Sequence, residues 1–241
     1  MKRFCIIFFL LFLVPAFAFT ASINVYVRLD DPLLRQSVSE FNNELKQRGI
    51  LERYGVEPFL NHHPMHATLY LTEYSKDRIE QVVEVVRQLA CHSKPVQLKI
   101  NGMSVTKGNY VMLDVNNAVT SESPSLQQLS NQATLKLSGL RDYNAPIPDW
   151  AKFNPGKRKA FERYGSPNVF LEFNPHLSLM APDIKDEDKS RAFRDEVQAV
   201  IDVWSFPHLT IDSAVLGVGY TNAQGQVIEE IARFNLDSCQ K

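Results

Sequence analysis

Two short stretches of this 241-residue chain place a histidine two positions before a hydroxyl: HATLYL at residues 66–71 and HLSLMA at residues 176–181. In a β-strand, residues i and i+2 share a face, so His66 is aligned with Thr68 and His176 with Ser178, while Ala67, Leu69, Leu177 and Leu179 turn to the core. If the two strands meet across a cleft, two imidazoles face each other beside two hydroxyl donors. An imidazole with an ordinary pKa near 6.5 exists in both protonation states at neutral pH, so one histidine can take a proton from a nucleophile while the other gives one to a leaving oxygen. Thr68 and Ser178 can donate to the non-bridging oxygens of a phosphodiester. Strict alternation also carries Tyr70 onto the face of His66, where it can stack on a nucleobase or pack at the strand end, and Met180 onto the face of His176.

Other histidine patterns compete with this reading. His208-Leu209-Thr210 has the same form but no counterpart elsewhere in the chain, and reads as a hairpin residue. His62, His63 and His66 have the spacing H-H-x-x-H. Two metal ligands four apart need a helix there, and Pro64 followed by strand alternation argues against one. His62 and His63 are expected in a loop at the cleft mouth, and no metal or other cofactor is expected.

The elements that must position these residues occur twice. A strand at 23–29 (INVYVRL) leads into a helix over 31–49, which Asp31 caps, Pro32 opens, Gly49 closes, and Leu34, Val38, Phe41 and Leu45 stripe. The strand of His66 follows, then a helix over 76–91, a strand at 95–105, the turn KGN and a strand at 110–115. The second half repeats the order: a helix over 123–140 opened by Ser123 and Pro124, the strand of His176, a helix over 185–204, and a closing hairpin of strands 207–220 and 227–236 around the turn NAQG. ERYG occurs at residues 52–55 and 162–165, 110 apart, as are the two histidines. That shared register points to a duplicated architecture, with half one at about 22–109 and half two at about 110–241. Residues 141–159, rich in proline and aromatics, are expected to form a loop inserted in half two. Arg53, Tyr54, Arg163 and Tyr164 of the ERYG copies read as helix ends closed by glycine rather than as phosphate contacts. Lys157, Arg158 and Lys159 read, with Arg163, as a solvated basic face able to steer an anion.

The N-terminal MKRFCIIFFLLFLVPAFAFTA has the charged start, short apolar run and small-residue end of a secretory signal, expected over residues 1–21 and too short for a spanning helix. The expected destination is periplasmic or secreted, with no membrane association after cleavage. Loss of Lys2 and Arg3 leaves 24 cations against 27 carboxylates, a net charge of −3. A binder of long nucleic acid needs a basic surplus, so that class is excluded, while small or end-located anionic substrates remain. Cys91 and Cys239 are then either bridged or two free thiols.

On these residues, H-A-T-L-Y-L and H-L-S-L-M-A resemble the paired H-x-[ST]-hydrophobic signatures of the 2H phosphoesterase superfamily, which includes 2′-5′ RNA ligase-like proteins and 2′,3′-cyclic phosphodiesterases. The resemblance implies an α+β fold of two pseudo-symmetric lobes, with antiparallel sheets lining a central cleft and helices outside. It implies metal-independent phosphodiester chemistry on 2′,3′-cyclic or 2′-5′ bonds of a nucleotide or RNA-end substrate. By that motif His66 and His176 are general acid and base, and Thr68 and Ser178 bind phosphate. The interval between the histidines and the insertion near Trp150 depart from the family pattern and bear on the substrate. The competing classes are a non-catalytic nucleotide-binding or RNA-end-binding module on the same scaffold, and a metal-dependent hydrolase built on the histidines around His63.

Overall fold

The computed structural model describes residues 20–117 and 126–239. Most of the expected signal segment and the Ser123-Pro124 helix start lie outside the described residues. Eight strands form two four-stranded antiparallel sheets: β1 (Thr20–Arg28), β2 (His66–Ser75), β3 (Val96–Val105), β4 (Val111–Asn117), β5 (His176–Met180), β6 (Leu209–Ser213), β7 (Val215–Thr221) and β8 (Val227–Asn235). The first sheet has the order β2-β1-β7-β8 and the second β5-β4-β3-β6. The expected α+β architecture of two antiparallel sheets is present.

The helices form where capping and apolar spacing place them. Asp31 accepts from the amide of Leu34 at 2.8 Å to open α1 (Pro32–Gln47), whose Leu34, Val38, Phe41 and Leu45 are buried. Two of the other helices, α3 (Ile79–Cys91) and α4 (Leu126–Leu137), pack against the first sheet. The longest, α7 (Glu187–Val203), capped by Asp186, packs against the second. Gly55 and Gly165, the last residues of the two ERYG copies, adopt left-handed φ of 63° and 77° and close α2 (Ile50–Tyr54) and α6 (Pro155–Tyr164), as expected of helix ends. No helix among the described residues is long and apolar enough to cross a membrane.

Two readings change. The segment 141–159 is not all loop: α5 (Asp149–Lys152) lies inside it, and α6 starts at Pro155 with Asn154 accepting from the amide of Lys157. Proline there opens a helix instead of breaking one. The expected single strand 207–220 is two strands, broken at Ala214, so that β6 joins β3 in the second sheet while β7 joins β1 in the first. The sequence halves are therefore not the sheets: the closing hairpin of half two completes the sheet of β1 and β2, and β3 of half one pairs with β4 of half two.

Cys91 and Cys239 form a disulfide with Cα atoms 4.9 Å apart, and Asp237 donates its amide to the carbonyls of Ala90 and Ser93 beside it. The C-terminal segment is thus fastened to the end of α3.

Candidate active site

The two histidine strands are built alike to the residue. His66 pairs with Arg28 and Thr68 with Tyr26, whereas His176 pairs with Asp114 and Ser178 with Met112. Each strand then carries an extra residue, Leu69 in β2 and Leu179 in β5, at which the pairing register slips by one. Such a bulge puts two successive side chains on one face. Leu69 and Tyr70 are both buried, as are Leu179 and Met180. In β2 the carbonyl of the bulged Leu69 accepts from the hydroxyl of Ser130 on α4 at 2.7 Å.

The bulge corrects the placement of Tyr70. It is 1% exposed, belongs to the core, and donates its hydroxyl to the carbonyl of Tyr164 at the end of α6. Neighbouring Thr72 donates likewise to Gly165 at 2.6 Å, so the two hydroxyls satisfy carbonyls that the helix end leaves free. Burial holds the Tyr70 hydroxyl far above its ordinary pKa. Tyr70 is a docking residue for α6 and does not reach the cleft. Met180 is turned to the core for the same reason.

Each catalytic candidate is fixed by the same tether. His66 Nδ1 lies 2.9 Å from the carbonyl of Pro64, and His176 Nδ1 lies 2.8 Å from that of Asn174. A carbonyl only accepts, so Nδ1 carries the proton in the neutral ring and Nε2 keeps its lone pair. His66 is 4% exposed, and the ring of Tyr26 meets it edge-on at 5.2 Å. Burial pushes the His66 pKa down to about 4, opposed by the Pro64 and Gly225 carbonyls, and the charges of His176 and His63 lower it further. His176 is partly exposed and is also shifted below the usual value by desolvation, against which the Asn174 carbonyl and the carboxylate of Asp114 favour the charged ring, while Lys157 disfavours it. A small, mostly apolar pocket beside the two strands is lined by His63, Pro64 and Met65 from before β2 and by Leu177, Ser178 and Leu179 of β5; His66, Thr68 and His176 do not line it.

The hydroxyls differ in their surroundings. Asn24 of β1 donates to Thr68 Oγ1 at 2.8 Å. Ser178 has no such side-chain donor among the described residues and lines the pocket. Beside His66, Glu230 of β8 accepts from the Tyr26 hydroxyl at 2.6 Å and from Arg28 at 2.8 Å, and pairs with Arg233. Asn24, Tyr26, Arg28 and Asp114 are site-face residues that sequence reasoning missed. The signal was present in INVYVRL, where Asn24, Tyr26 and Arg28 occupy alternate positions between four apolar residues.

The remaining histidines disperse. His62 pairs with Glu57, His63 Nδ1 meets the Val227 carbonyl at 2.9 Å, and His208 is exposed just before β6. Arg53 and Tyr54 both bond Glu196 of α7, and Arg163 lies over the ring of Tyr164. Arg158, Lys159 and Arg163 are exposed, whereas Lys157 donates to Asn168 at 2.7 Å.

Solved structures share this fold. That of TT0787 of Thermus thermophilus is 13% identical and covers 90% of this chain and 98% of its own, with a TM-score of 0.55. Escherichia coli LigT complexed with 3′-AMP is 12% identical over 90% of this chain and 99% of that one, with a TM-score of 0.49. Usb1 of Kluyveromyces marxianus is 14% identical over 90% and 98%, with a TM-score of 0.47. No family model matches the sequence, and no curated protein matches it. The likeness to TT0787 shows the fold.

Proposed function

We propose that the chain is an exported phosphoesterase of the 2H type, hydrolysing a 2′,3′-cyclic or 2′-5′ phosphodiester of a nucleotide or RNA end without a metal ion in the step. The observation that carries this reading is the matched pair of stations: two strands with the same bulge, each presenting a histidine whose Nδ1 is tethered to the carbonyl two residues before it, with a hydroxyl one pair further on. A histidine buried only for packing does not need an identical tether and hydroxyl in both halves.

In the step, water attacks phosphorus as His66 Nε2 takes its proton, the bond from phosphorus to one ribose oxygen breaks, and His176 Nε2 protonates that oxygen. Thr68 and Ser178 donate to the non-bridging oxygens as negative charge builds there. The roles divide by environment: the depressed pKa of His66 keeps it neutral and basic, while Asp114 opposite His176 favours the protonated ring. Export is supported by the N-terminal run and by the Cys91 to Cys239 disulfide, which oxidising compartments permit.

The test is turnover of 2′,3′-cyclic nucleotides and 2′-5′ oligonucleotides by the mature protein in chelator, beside His66→Ala and His176→Ala. Each substitution is expected to lower kcat by about 10²–10⁴-fold. Full activity in either variant, or wild-type activity abolished by the chelator, overturns the assignment.

A further inference from the structure

We infer that Asn24 is a positioning residue that sets the polarity of the Thr68 hydroxyl, so that Thr68 is the fixed oxyanion donor of the site and Ser178 the adaptable one. The inference rests on the phosphoesterase reading above and adds a residue that neither histidine motif contains.

The orientation of the Asn24 amide is decided by its neighbours. Asn24 is completely buried. Its Nδ2 faces two oxygens, Thr68 Oγ1 at 2.8 Å and the carbonyl of Gly225 at 3.4 Å. A hydroxyl can donate or accept, but a carbonyl can only accept, so the Gly225 oxygen requires the NH₂ edge of the amide to face it. With that edge fixed, Asn24 donates to Thr68, and Oδ1 of Asn24 is left without a partner among the described residues. An unpaired buried acceptor is costly, and it is retained here where the opposite orientation would bring two acceptors together at Gly225.

The Gly225 carbonyl is itself held rigidly. It belongs to the turn between β7 and β8, where Asn222 Oδ1 accepts from the amides of Gln224 and Gln226, both at 3.0 Å. Gly225 donates to the carbonyl of Asn222 at 3.0 Å and has φ of 77°, a conformation that favours glycine. The turn therefore fixes the Asn24 amide, and the amide occupies a lone pair of Thr68 Oγ1. The one hydroxyl proton of Thr68 is left for a ligand oxygen. At Ser178 no side-chain donor among the described residues imposes such a direction.

The experiment is a double-mutant cycle on the full mature protein. Asn24→Leu keeps the volume and removes the donor; Asn24→Ala serves if leucine prevents folding, judged by thermal melting. Thr68→Val is expected to lower kcat on a 2′,3′-cyclic nucleotide about 10²-fold, as loss of an oxyanion donor does. Asn24→Leu is expected to lower it about tenfold with KM nearly unchanged, and to have less than a twofold effect when Thr68 is already valine. A purely structural Asn24 would lower activity equally in both backgrounds, and that result overturns the inference, as does wild-type kcat in Asn24→Leu. A second readout separates this inference from the function it rests on. In a ¹H–¹⁵N spectrum of the ligand-free protein, Thr68→Val must shift the Asn24 side-chain amide, and Ser178→Ala must not. A wild type without turnover sinks the enzyme reading while leaving the amide test to decide the hydrogen bond; an unmoved amide sinks the Asn24 inference even in an active enzyme.

Discussion

Asp114 stands directly opposite His176 across the pair of strands β4 and β5, at the station that Arg28 occupies opposite His66 across β1 and β2. Two otherwise matched histidines are thereby given cross-strand partners of opposite charge. With His66 as base, kcat/KM rises as pH climbs through about 4, because the base must lose its proton. It falls through a second pKa below 6.5, because the acid must keep its own. The optimum is expected on the acid side of 6.5. Removing the carboxylate with Asp114→Asn moves the alkaline limb to lower pH, and removing the cation with Lys157→Met moves it to higher pH. A pH series of kcat/KM for the three proteins checks both signs.

The burial of His66 also makes stability depend on pH. Its folded pKa of about 4 lies below the ordinary value of 6.5, so the unfolded chain binds the extra proton over that interval. Stability is full above 6.5 and is lost as pH falls toward 4, by about 3 kcal/mol in all at 1.36 kcal/mol per pH unit. His66→Gln should flatten this part of the curve. Chemical denaturation at a series of pH values between 4 and 7 measures it, and an equal slope in the variant would refute the attribution.

Gly217 is the floor on which the His66 face rests. A Cβ built on it would collide with the ring of Tyr26, whose edge meets His66. Gly217→Ala must therefore displace Tyr26, with a cost of about 1–3 kcal/mol in stability by overpacking and a fall in kcat through the tilted imidazole. Tyr26→Phe keeps the ring and removes only the bond to Glu230, so it should be the milder change. Melting curves and turnover for both variants give the comparison.

Tyr70→Phe should leave kcat and KM unchanged, because the hydroxyl is spent on the Tyr164 carbonyl in the core. The same substitution should lower stability by about 1–2 kcal/mol for the lost bond. A raised KM for a nucleotide would return Tyr70 to the cleft and contradict its burial.

The sequence made the two histidines, their hydroxyls and the register between halves legible because strand alternation and the ERYG spacing are local patterns. It hid Tyr70 because Leu69 is an ordinary strand residue, and the extra residue in β2 shows only in its pairing with β1. It hid Asp114 because that residue acts only through pairing with β5. The start of α6 within 141–159 was obscured by proline at its first helical position. The split at Ala214 follows from which sheet each segment joins, a choice made by partners far away in the chain.

The exchange of strands between halves also governs when the site can come into being. Val25 pairs with Val218, so β1 waits for nearly the whole chain before its second edge is covered. Closing so long a loop before any contact compensates it makes the first sheet late and slow to form. Until β7 and β8 arrive, Asn24 lacks the Gly225 carbonyl and Tyr26 lacks Glu230. A chain truncated before its last hairpin holds both histidine motifs but lacks the β7 and β8 strands that complete the sheet behind His66.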